Sequence, residues 1–156
     1  RCSNNYGPYQ HPEKLIPYSI TRLIEGKPIA IYGDGKYVRD WIHVEDHCSA
    51  LALALLNGVP GEVYNIGADD EIDNLTLAER MLNYFKKDTS AIVFVKDRPG
   101  HDRRYAINAS KIKNELGWKS THSLRTSFEP TIAWYVENMN WVRRALMRAG
   151  RANTHI

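Results

Sequence analysis

The order of hydrophobic and polar positions divides the chain into short strands and amphipathic helices. Apolar residues at helical spacing predict helices, over 13–25, 45–56, 77–87, 108–116 and from 124 onward. Runs of β-branched and aromatic residues predict strands, over 29–32, 37–43, 63–67 and 92–95. Strands that alternate with helices indicate an α/β fold.

A tight turn is predicted at Gly33-Asp34-Gly35, where glycine permits the positive φ angles that such turns require. Extended segments flank this turn on both sides. We therefore expect 29–32 and 37–43 to pair as a β-hairpin.

Arg39 lies in the second of these strands, on the same face as Tyr37 and Trp41. An arginine among aromatic rings suits a planar or phosphorylated ligand. The alternative is a half-exposed strand in which Arg39 pairs with Asp34 or Asp40. This stretch alone leaves both interpretations open.

Two further segments carry predictions about burial. In the helix from 45, the spacing of Cys48, Leu51 and Leu55 marks the side expected to be buried. The continuous apolar run 92–95 is typical of an interior strand.

The loop 97–104 concentrates charge after the strand 92–95. It contains two acids, three arginines and a histidine within eight residues. Open α/β sheets bind ligands at the carboxyl ends of their strands, which favours a functional loop. Alternatively, the acids and arginines neutralise one another on a surface connector.

Composition excludes several classes of protein. The net charge of +3 is too small for a typical nucleic-acid binder, and no apolar run approaches membrane-spanning length. Cys2 and Cys48 show no pairing at metal-ligand spacing, so no metal site is indicated. We expect a cytoplasmic protein with no nucleic-acid or membrane partner.

The ends of the chain suggest its organisation. Arg1-Cys2-Ser3 has the pattern of a strand end that runs into a loop, so we expect a fragment of a longer protein. Residues 1–141 form the predicted domain. The basic segment 142–156 is predicted to be a loosely ordered tail.

Several motifs resemble those of one enzyme family. They are Arg1-Cys2-Ser3-Asn4-Asn5-Tyr6-Gly7-Pro8, Tyr32-Gly33-Asp34-Gly35, Val38-Arg39-Asp40-Trp41, Tyr64-Asn65-Ile66-Gly67 and Asp97-Arg98-Pro99-Gly100-His101-Asp102-Arg103-Arg104-Tyr105. Together they closely resemble the carboxyl-terminal half of the dTDP-glucose 4,6-dehydratases, a family of extended short-chain dehydrogenases/reductases. The resemblance extends to about residue 141, and the first and last motifs are the most selective.

This resemblance implies the substrate-binding half of an extended short-chain dehydrogenase/reductase, a small sheet with helices, without the Rossmann NAD-binding half. The full-length enzyme would oxidise dTDP-glucose at C4, eliminate water across C5 and C6 and return the hydride to C6. The product, dTDP-4-keto-6-deoxyglucose, feeds deoxysugar pathways such as that of rhamnose. The resemblance also implies NAD as cofactor and a homodimer. In this family the catalytic residues precede the matched region, which implies no catalytic set here and an inactive fragment.

The resemblance also assigns binding residues. Asn5 would contact NAD. The substrate-binding residues would be Asn4, Lys14, Leu15, Ala30, Ile31, Tyr32, Arg39, Asn65, Asp97, Arg98, Pro99, Gly100 and His101. Arg39, Asn65, Arg98 and His101 would gather around the ribose and pyrophosphate, with both guanidinium groups on one diphosphate.

Two other functions remain open at this point. One keeps the family but makes the enzyme an NAD-dependent nucleotide-sugar epimerase or decarboxylase. The other is a non-catalytic nucleotide-sugar-binding module.

Overall fold

The computed structural model describes residues 1–148, which form six strands, six helices and one 3₁₀ turn. The strands are β1 (Asn4–Tyr6), β2 (Ile29–Tyr32), β3 (Val38–His43), β4 (Glu71–Asp73), β5 (Ile92–Val95) and β6 (Arg104–Tyr105). The helices are α1 (Leu15–Ile24), α2 (Val44–Asn57), α3 (Asn74–Tyr84), α4 (Ser110–Leu116), α5 (Leu124–Glu137) and α6 (Met139–Arg148), with a 3₁₀ turn at Thr89–Ala91. The predicted α/β class with small sheets and helices is confirmed. Over the described range, no helix has the length and hydropathy needed to cross a bilayer.

Two small sheets organise these elements. β3 lies at the centre of a four-stranded sheet, parallel to β1 and β6 and antiparallel to β4. β2 and β5 form a separate parallel pair, in which Tyr32 lies opposite Val95. Because the pair is parallel, both strands end at the same edge of their sheet.

Two hydrophobic cores lie on opposite sides of β3. Trp41 belongs to the larger core, which includes buried residues of α1, α3 and α5. The next residue, Ile42, belongs to the smaller core, which includes residues of α2 and α4. Successive side chains of a strand point to opposite faces, so one strand can be buried on both sides. The predicted alternation is present, but neither face of β3 is half-exposed.

The predicted hairpin is wrong, although its turn forms. The N–H of Gly35 donates to the carbonyl oxygen of Tyr32 over 3.1 Å, as in a tight turn. Beyond the turn, Asn74 N–H donates to Tyr37 O over 3.1 Å and Leu75 N–H donates to Gly35 O over 2.9 Å. These bonds hold the chain against the start of α3, which separates β3 from β2. β2 instead pairs with β5, and β3 pairs with β1, β4 and β6.

The predicted buried face of α2 is also wrong. Cys48 is exposed, and Leu51 and Leu55 are 52% and 86% exposed. The buried positions are Asp46 and Ala50. Small side chains let the helix approach the second core closely, so the alanine side packs inward and the leucine side remains open.

Two strand predictions also need correction. Residues 63–67 form only an isolated parallel bridge, between Ile66 and Cys2, and no strand. β5 is not interior, because Phe94 is 58% exposed and β2 is its one partner in the described sheets. Its end residues Ile92 and Val95 are half-buried and the central Val93 and Phe94 are exposed, so neither face is fully covered.

Two helices begin at other residues than predicted. α1 begins at Leu15, after Lys14 N–H bonds to His11 O in a preceding turn. α3 begins at Asn74, with Asp73 as its N-cap accepting a hydrogen bond from Thr76 N–H over 2.9 Å. A side-chain cap thus fixes the start of α3, whereas Lys14, the N-cap of α1, makes no side-chain capping bond.

The predicted tail is partly helical. Residues 142–148 belong to α6, and Val142 is fully buried. The ring of Trp141 lies 5.4 Å from the rings of both Tyr9 and Trp134, which attaches the helix to the domain. The rest of the predicted tail, 149–156, lies outside the described residues.

Replacing Tyr135 by phenylalanine is expected to destabilise the protein by about 1–2 kcal/mol, because a buried hydrogen bond is lost. The hydroxyl of Tyr135 lies 3.0 Å from Gly7 O and 3.1 Å from Gln10 O, and burial raises its pKa. Urea denaturation measures the change. Tyr84→Phe is the control, because Tyr84 is 37% exposed and should tolerate the change. Equal effects of both variants would contradict a role for this bond.

Candidate functional site

The candidate site lies where β2 and β5 end. The N–H of Gly33 donates to Val95 O over 3.0 Å, which joins the two strand ends. Gly33 has a φ of 59°, and a Cβ atom there would lie 3.1 Å from the ring of Tyr37. Backbone conformation and close packing therefore both favour glycine at this turn.

An aromatic wall stands beside this turn. The ring of His101 stacks on Tyr37, with centroids 3.9 Å apart, and meets the ring of Tyr32 edge-on at 6.2 Å. Asp97 accepts hydrogen bonds from the Tyr37 hydroxyl and, over 2.8 Å, from Nδ1 of His101. Three predicted site residues, Tyr32, Asp97 and His101, are thus brought together.

Electrostatics define the roles within this wall. The hydrogen bonds from Tyr37 and then His101 hold the pKa of Asp97 below its usual range, while the bond to Asp97 raises the pKa of Tyr37. Asp97 is therefore a carboxylate at neutral pH, and Nδ1 of His101 carries the shared proton. The His101 side chain is only 5% exposed, so it acts mainly by holding its neighbours. Tyr32, which is 48% exposed, offers the open surface.

Arg39 holds the loop 97–104 by a hydrogen bond to its backbone. It is buried, and its guanidinium donates to the carbonyl oxygens of Val38 and Asp102, each over 2.7 Å. It also lies 4.9 Å from the ring centroid of Tyr105. The alternative pairing of Arg39 with Asp34 or Asp40 is wrong, because neither carboxylate bonds to it.

The arginines of the loop 97–104 divide into two kinds. Arg103 makes two hydrogen bonds to Asp34, of 2.7 and 3.0 Å, which lower the pKa of Asp34 to about 2. Arg104 makes two bonds to Glu71, of 2.6 and 2.7 Å. Arg98 is exposed, and its guanidinium has no hydrogen bond or ion pair to any residue in 1–148. Charge neutralisation thus accounts for Arg103 and Arg104 and leaves Arg98 available.

The first asparagines bond differently. Asn4 accepts a hydrogen bond from the Tyr105 hydroxyl, which connects β1 to the end of the loop. The Oδ1 of Asn5 lies 2.7 Å from Nδ1 of His47, and its Nδ2 donates to Ser3 O over 3.2 Å. The Asn5 amide is therefore already bonded on both sides. This residue alone does not form an NAD site.

The remaining predicted residues are not joined to this cluster by hydrogen bonds. Lys14 is exposed at the N-cap of α1, and Leu15 begins that helix. Asn65 is half-buried, with no side-chain hydrogen bond inside residues 1–148. Ala30 lies within β2. Pro99 and Gly100 lie in the loop 97–104, where Gly100 has a φ of 69°. Ile31 is 1% exposed and packs in the larger core, and its place beside the nucleotide stays a prediction.

Sequence reasoning missed two contributors to the site, Tyr37 as part of the wall and Tyr105 as the partner of Arg39 and Asn4. The period of two already placed Tyr37 on the face of Arg39. Tyr105 ends the most selective motif, so its position was known without its role.

Comparison with known proteins identifies the family. Residues 1–131 match the sequence model of the GDP-mannose 4,6 dehydratase family. The chain belongs to this family. Among curated proteins, it is similar to the dTDP-glucose 4,6-dehydratase of Actinoplanes sp., with 51% identity over 141 residues, covering 90% of this chain and 44% of the relative. The enzyme of the same name from Xanthomonas campestris pv. campestris is 46% identical over 154 residues, covering 93% of this chain and 44% of the relative.

Solved structures of the family give the same result. A dTDP-glucose 4,6-dehydratase from Bacillus anthracis in complex with NAD aligns with a TM-score of 0.88 and 49% identity, over 93% of this chain and 46% of that one. DesIV, a dTDP-glucose 4,6-dehydratase from Streptomyces venezuelae with NAD and TYD bound, aligns with a TM-score of 0.90 and 45% identity, over 93% of this chain and 45% of that one. The chain thus spans less than half the length of these relatives. Its whole candidate site falls within the matched residues.

Proposed function

We propose that this chain is the nucleotide-sugar-binding, carboxyl-terminal part of an NAD-dependent dTDP-glucose 4,6-dehydratase. The complete enzyme would be a homodimer that converts dTDP-glucose to dTDP-4-keto-6-deoxyglucose. It would oxidise C4, eliminate water across C5 and C6, and return the hydride to C6. This chain would supply substrate binding and no catalytic set.

The observation that carries the binding role is that an exposed ring and a guanidinium without a bonding partner in residues 1–148 lie at or just after two strand ends on one sheet edge. Tyr32 ends β2 and is exposed, and Arg98 follows β5 with its guanidinium bonded to no other described residue. A nucleoside diphosphate offers a flat base and ribose beside two anionic phosphates. Arginine can meet two phosphate oxygens with paired bonds, which lysine cannot copy.

The anchored loop supports this role. Asp97 bonds to Tyr37 and His101 at its start, and Arg39 bonds to Asp102 O near its end. A loop held at both ends loses little entropy when a ligand binds. Arg39 would meet the diphosphate with the guanidinium N–H groups that its bonds to Val38 and Asp102 leave free. Asn4, Lys14, Leu15, Ala30 and Asn65 would border the sugar and nucleotide.

The reaction is inferred from the relatives named dTDP-glucose 4,6-dehydratase, which are 46–51% identical over at least 90% of this chain. NAD would be held mainly by the part of those relatives that this chain does not cover, with Asn5 as a minor contact. The exposed leucine face of α2 is typical of a surface that another protein segment covers, which supports a larger protein.

An epimerase or decarboxylase of the same superfamily is the second candidate. It is favoured by the structural likeness to a UDP-glucose 4-epimerase of Thermotoga maritima, with a TM-score of 0.82 at 30% identity, over 89% of this chain and 45% of that one. The higher identity to the dehydratases favours dehydration. A non-catalytic binding module is the third possibility.

The deciding experiment is an assay of the longer protein that contains this chain, with NAD and dTDP-glucose. We expect loss of water, followed as the alkaline absorbance of a 4-keto product, and no turnover by residues 1–156 alone. If the product keeps its C6 oxygen, the enzyme does not dehydrate its substrate, and the epimerase alternative is supported. Binding of dTDP-glucose without any product would instead support the non-catalytic module.

A further inference from the structure

A second cluster of chemically active side chains lies away from the edge of β2 and β5. The rings of His43 and His122 stack with centroids 4.2 Å apart and an interplanar angle of 23°. His43 ends β3, and His122 precedes α5. The carboxylate of Glu45, in the first turn of α2, lies 3.3 Å from Nε2 of His122.

The donor atoms of this group lie close enough to share one metal ion, although the rings are nearly parallel, so His122, whose side chain is 28% exposed, must turn to aim its lone pair at the ion. One ring nitrogen of each histidine and one carboxylate oxygen of Glu45 all lie within 4.8 Å of one another. Ligand atoms around tetrahedral Zn²⁺ are about 3.4 Å apart, because each lies about 2.1 Å from the metal. The Glu45 side chain is 70% exposed, so it can rotate to close this difference.

A buried carboxylate orients His122 toward this position. Asp46 accepts hydrogen bonds from the backbone N–H groups of Thr121 and His122, over 3.0 and 2.9 Å, and lies 3.1 Å from Nδ1 of His122. When Nδ1–H donates to Asp46, the lone pair of Nε2 faces Glu45. A carboxylate that holds a histidine in this way is the usual outer partner of a metal ligand.

Two acceptors then face each other. The lone pair of His122 Nε2 and the negative Glu45 oxygen repel unless a cation lies between them. That cation is either the proton of an imidazolium or a metal ion. The nearby ring of His43 favours the metal ion, since it offers a second nitrogen ligand that a metal can use and that a proton held between two atoms cannot.

His43 is available to bind. It is 7% exposed, and the hydrogen bond that its ring makes, from Glu45 N–H to Nδ1, is long at 3.4 Å. A cavity of about 360 Å³ adjoins both rings, with Ser127 and Thr131 in its wall. This space leaves room for a water molecule as the fourth ligand, as in open zinc sites.

We propose that His43, His122 and Glu45 bind one divalent transition-metal ion, with Zn²⁺ as the best fit to two imidazoles and a carboxylate. The ion would link the junction of β3 and α2 to the start of α5. His43 and Glu45 are neighbours in the sequence but His122 is distant, so no ligand spacing reveals the full set. The site does not depend on the proposed function.

The test is calorimetric titration of ZnCl₂ alone into tag-free protein that has been stripped with a chelator. We expect one saturable equivalent with micromolar or tighter affinity, and a higher melting temperature with Zn²⁺ than without it. His122→Asn should weaken binding at least about tenfold. His11→Asn is the matched control, because His11 lies in a separate surface pair with Glu13.

A second variant guards against misfolding of the first. Glu45→Gln changes only an exposed side chain, and it should weaken Zn²⁺ binding several-fold without altering the circular dichroism spectrum. Bound Co²⁺ should show a visible d–d band that the His122 variant lacks. Absence of saturable binding, or equal affinity in the native protein and both cluster variants, would overturn the proposal. A loss in His11→Asn as large as in His122→Asn would overturn it too.

Discussion

Replacing Arg98 by alanine is expected to weaken binding of dTDP about 30- to 1,000-fold. The guanidinium is exposed and unbonded within residues 1–148, so the variant breaks no hydrogen bond or ion pair of that range. A bidentate pair of charged hydrogen bonds to phosphate contributes roughly 2–4 kcal/mol. Calorimetry with dTDP measures the loss, and thymidine, which lacks the phosphates, should bind both forms equally. The melting temperature should not change.

The matched control is Arg104→Ala. Arg104 belongs to the same loop and carries the same charge, but its Nε and one terminal guanidinium nitrogen donate to Glu71. Its replacement should change dTDP affinity less than about twofold, because exposed ion pairs contribute little. Arg98→Lys should fall between the native protein and Arg98→Ala, since it keeps the charge and loses the fork. Equal losses in the Arg98 and Arg104 variants would mean that general charge, and not a specific contact, attracts the ligand.

Replacing Asp46 by asparagine is expected to destabilise the protein by about 2–4 kcal/mol. Asp46 is 2% exposed and accepts bonds from Thr121 N–H, the Thr121 hydroxyl and His122 N–H. An asparagine would turn an NH₂ group toward these donors and leave at least one buried donor unpaired. Urea denaturation in buffer with EDTA measures the change without any contribution from metal.

The pH dependence of this variant has a definite sign. Burial acts to raise the pKa of Asp46, but hydrogen bonds from His122 and Thr121 outweigh it and leave the pKa below its usual value. A depressed pKa means stability that is fully present above the unfolded carboxyl pKa of about 4 and is lost as pH falls through the folded value. Asparagine does not titrate. The difference between native protein and Asp46→Asn should therefore shrink below about pH 4.

Asp34→Asn provides the contrast. Arg103 lowers the pKa of Asp34 to about 2, yet the Asp34 side chain is 53% exposed and solvent screens the pair. We expect its replacement to leave the denaturation midpoint unchanged within error. A large effect at Asp34, or none at Asp46, would contradict the view that burial decides what these carboxylates contribute.

Local signals predicted much of the secondary structure. The predicted turn at Gly33-Asp34-Gly35 forms, with both glycines at positive φ, and α5 begins after Ser123 as predicted. The pairing of strands was not predictable in the same way. β2 pairs with β5, about sixty residues away in the chain, because α3 separates it from β3. Turn residues report the local backbone and carry no information on distant partners.

The face that a helix buries was a second failure of local reasoning. In α2 the leucines repeat at helical spacing, and the prediction assigned them to the core. Ala50 is buried instead, while Leu55 is exposed. Periodicity shows that a helix has two faces, but which of them the domain covers depends on the shape of the neighbouring core.

For the candidate site, the motifs identified the loop and its chemistry, and the structure assigned the state of each arginine. Three arginines in one loop look equivalent in sequence. Arg103 and Arg104 are neutralised by Asp34 and Glu71, whereas Arg98 is left open. These partners lie far away in the chain, so no spacing rule could separate the three.

The amino-acid sequence was sufficient for the α/β class, the glycine turn, the charged loop and the family resemblance, because each of these depends on residues close together or on a motif. The three-dimensional structure was needed for strand partners, the buried side of α2, the burial of Arg39 and the meeting of His43 with His122. Those features arise because segments far apart in the chain pack together, which buries apolar surface and pairs buried polar groups across long sequence distances.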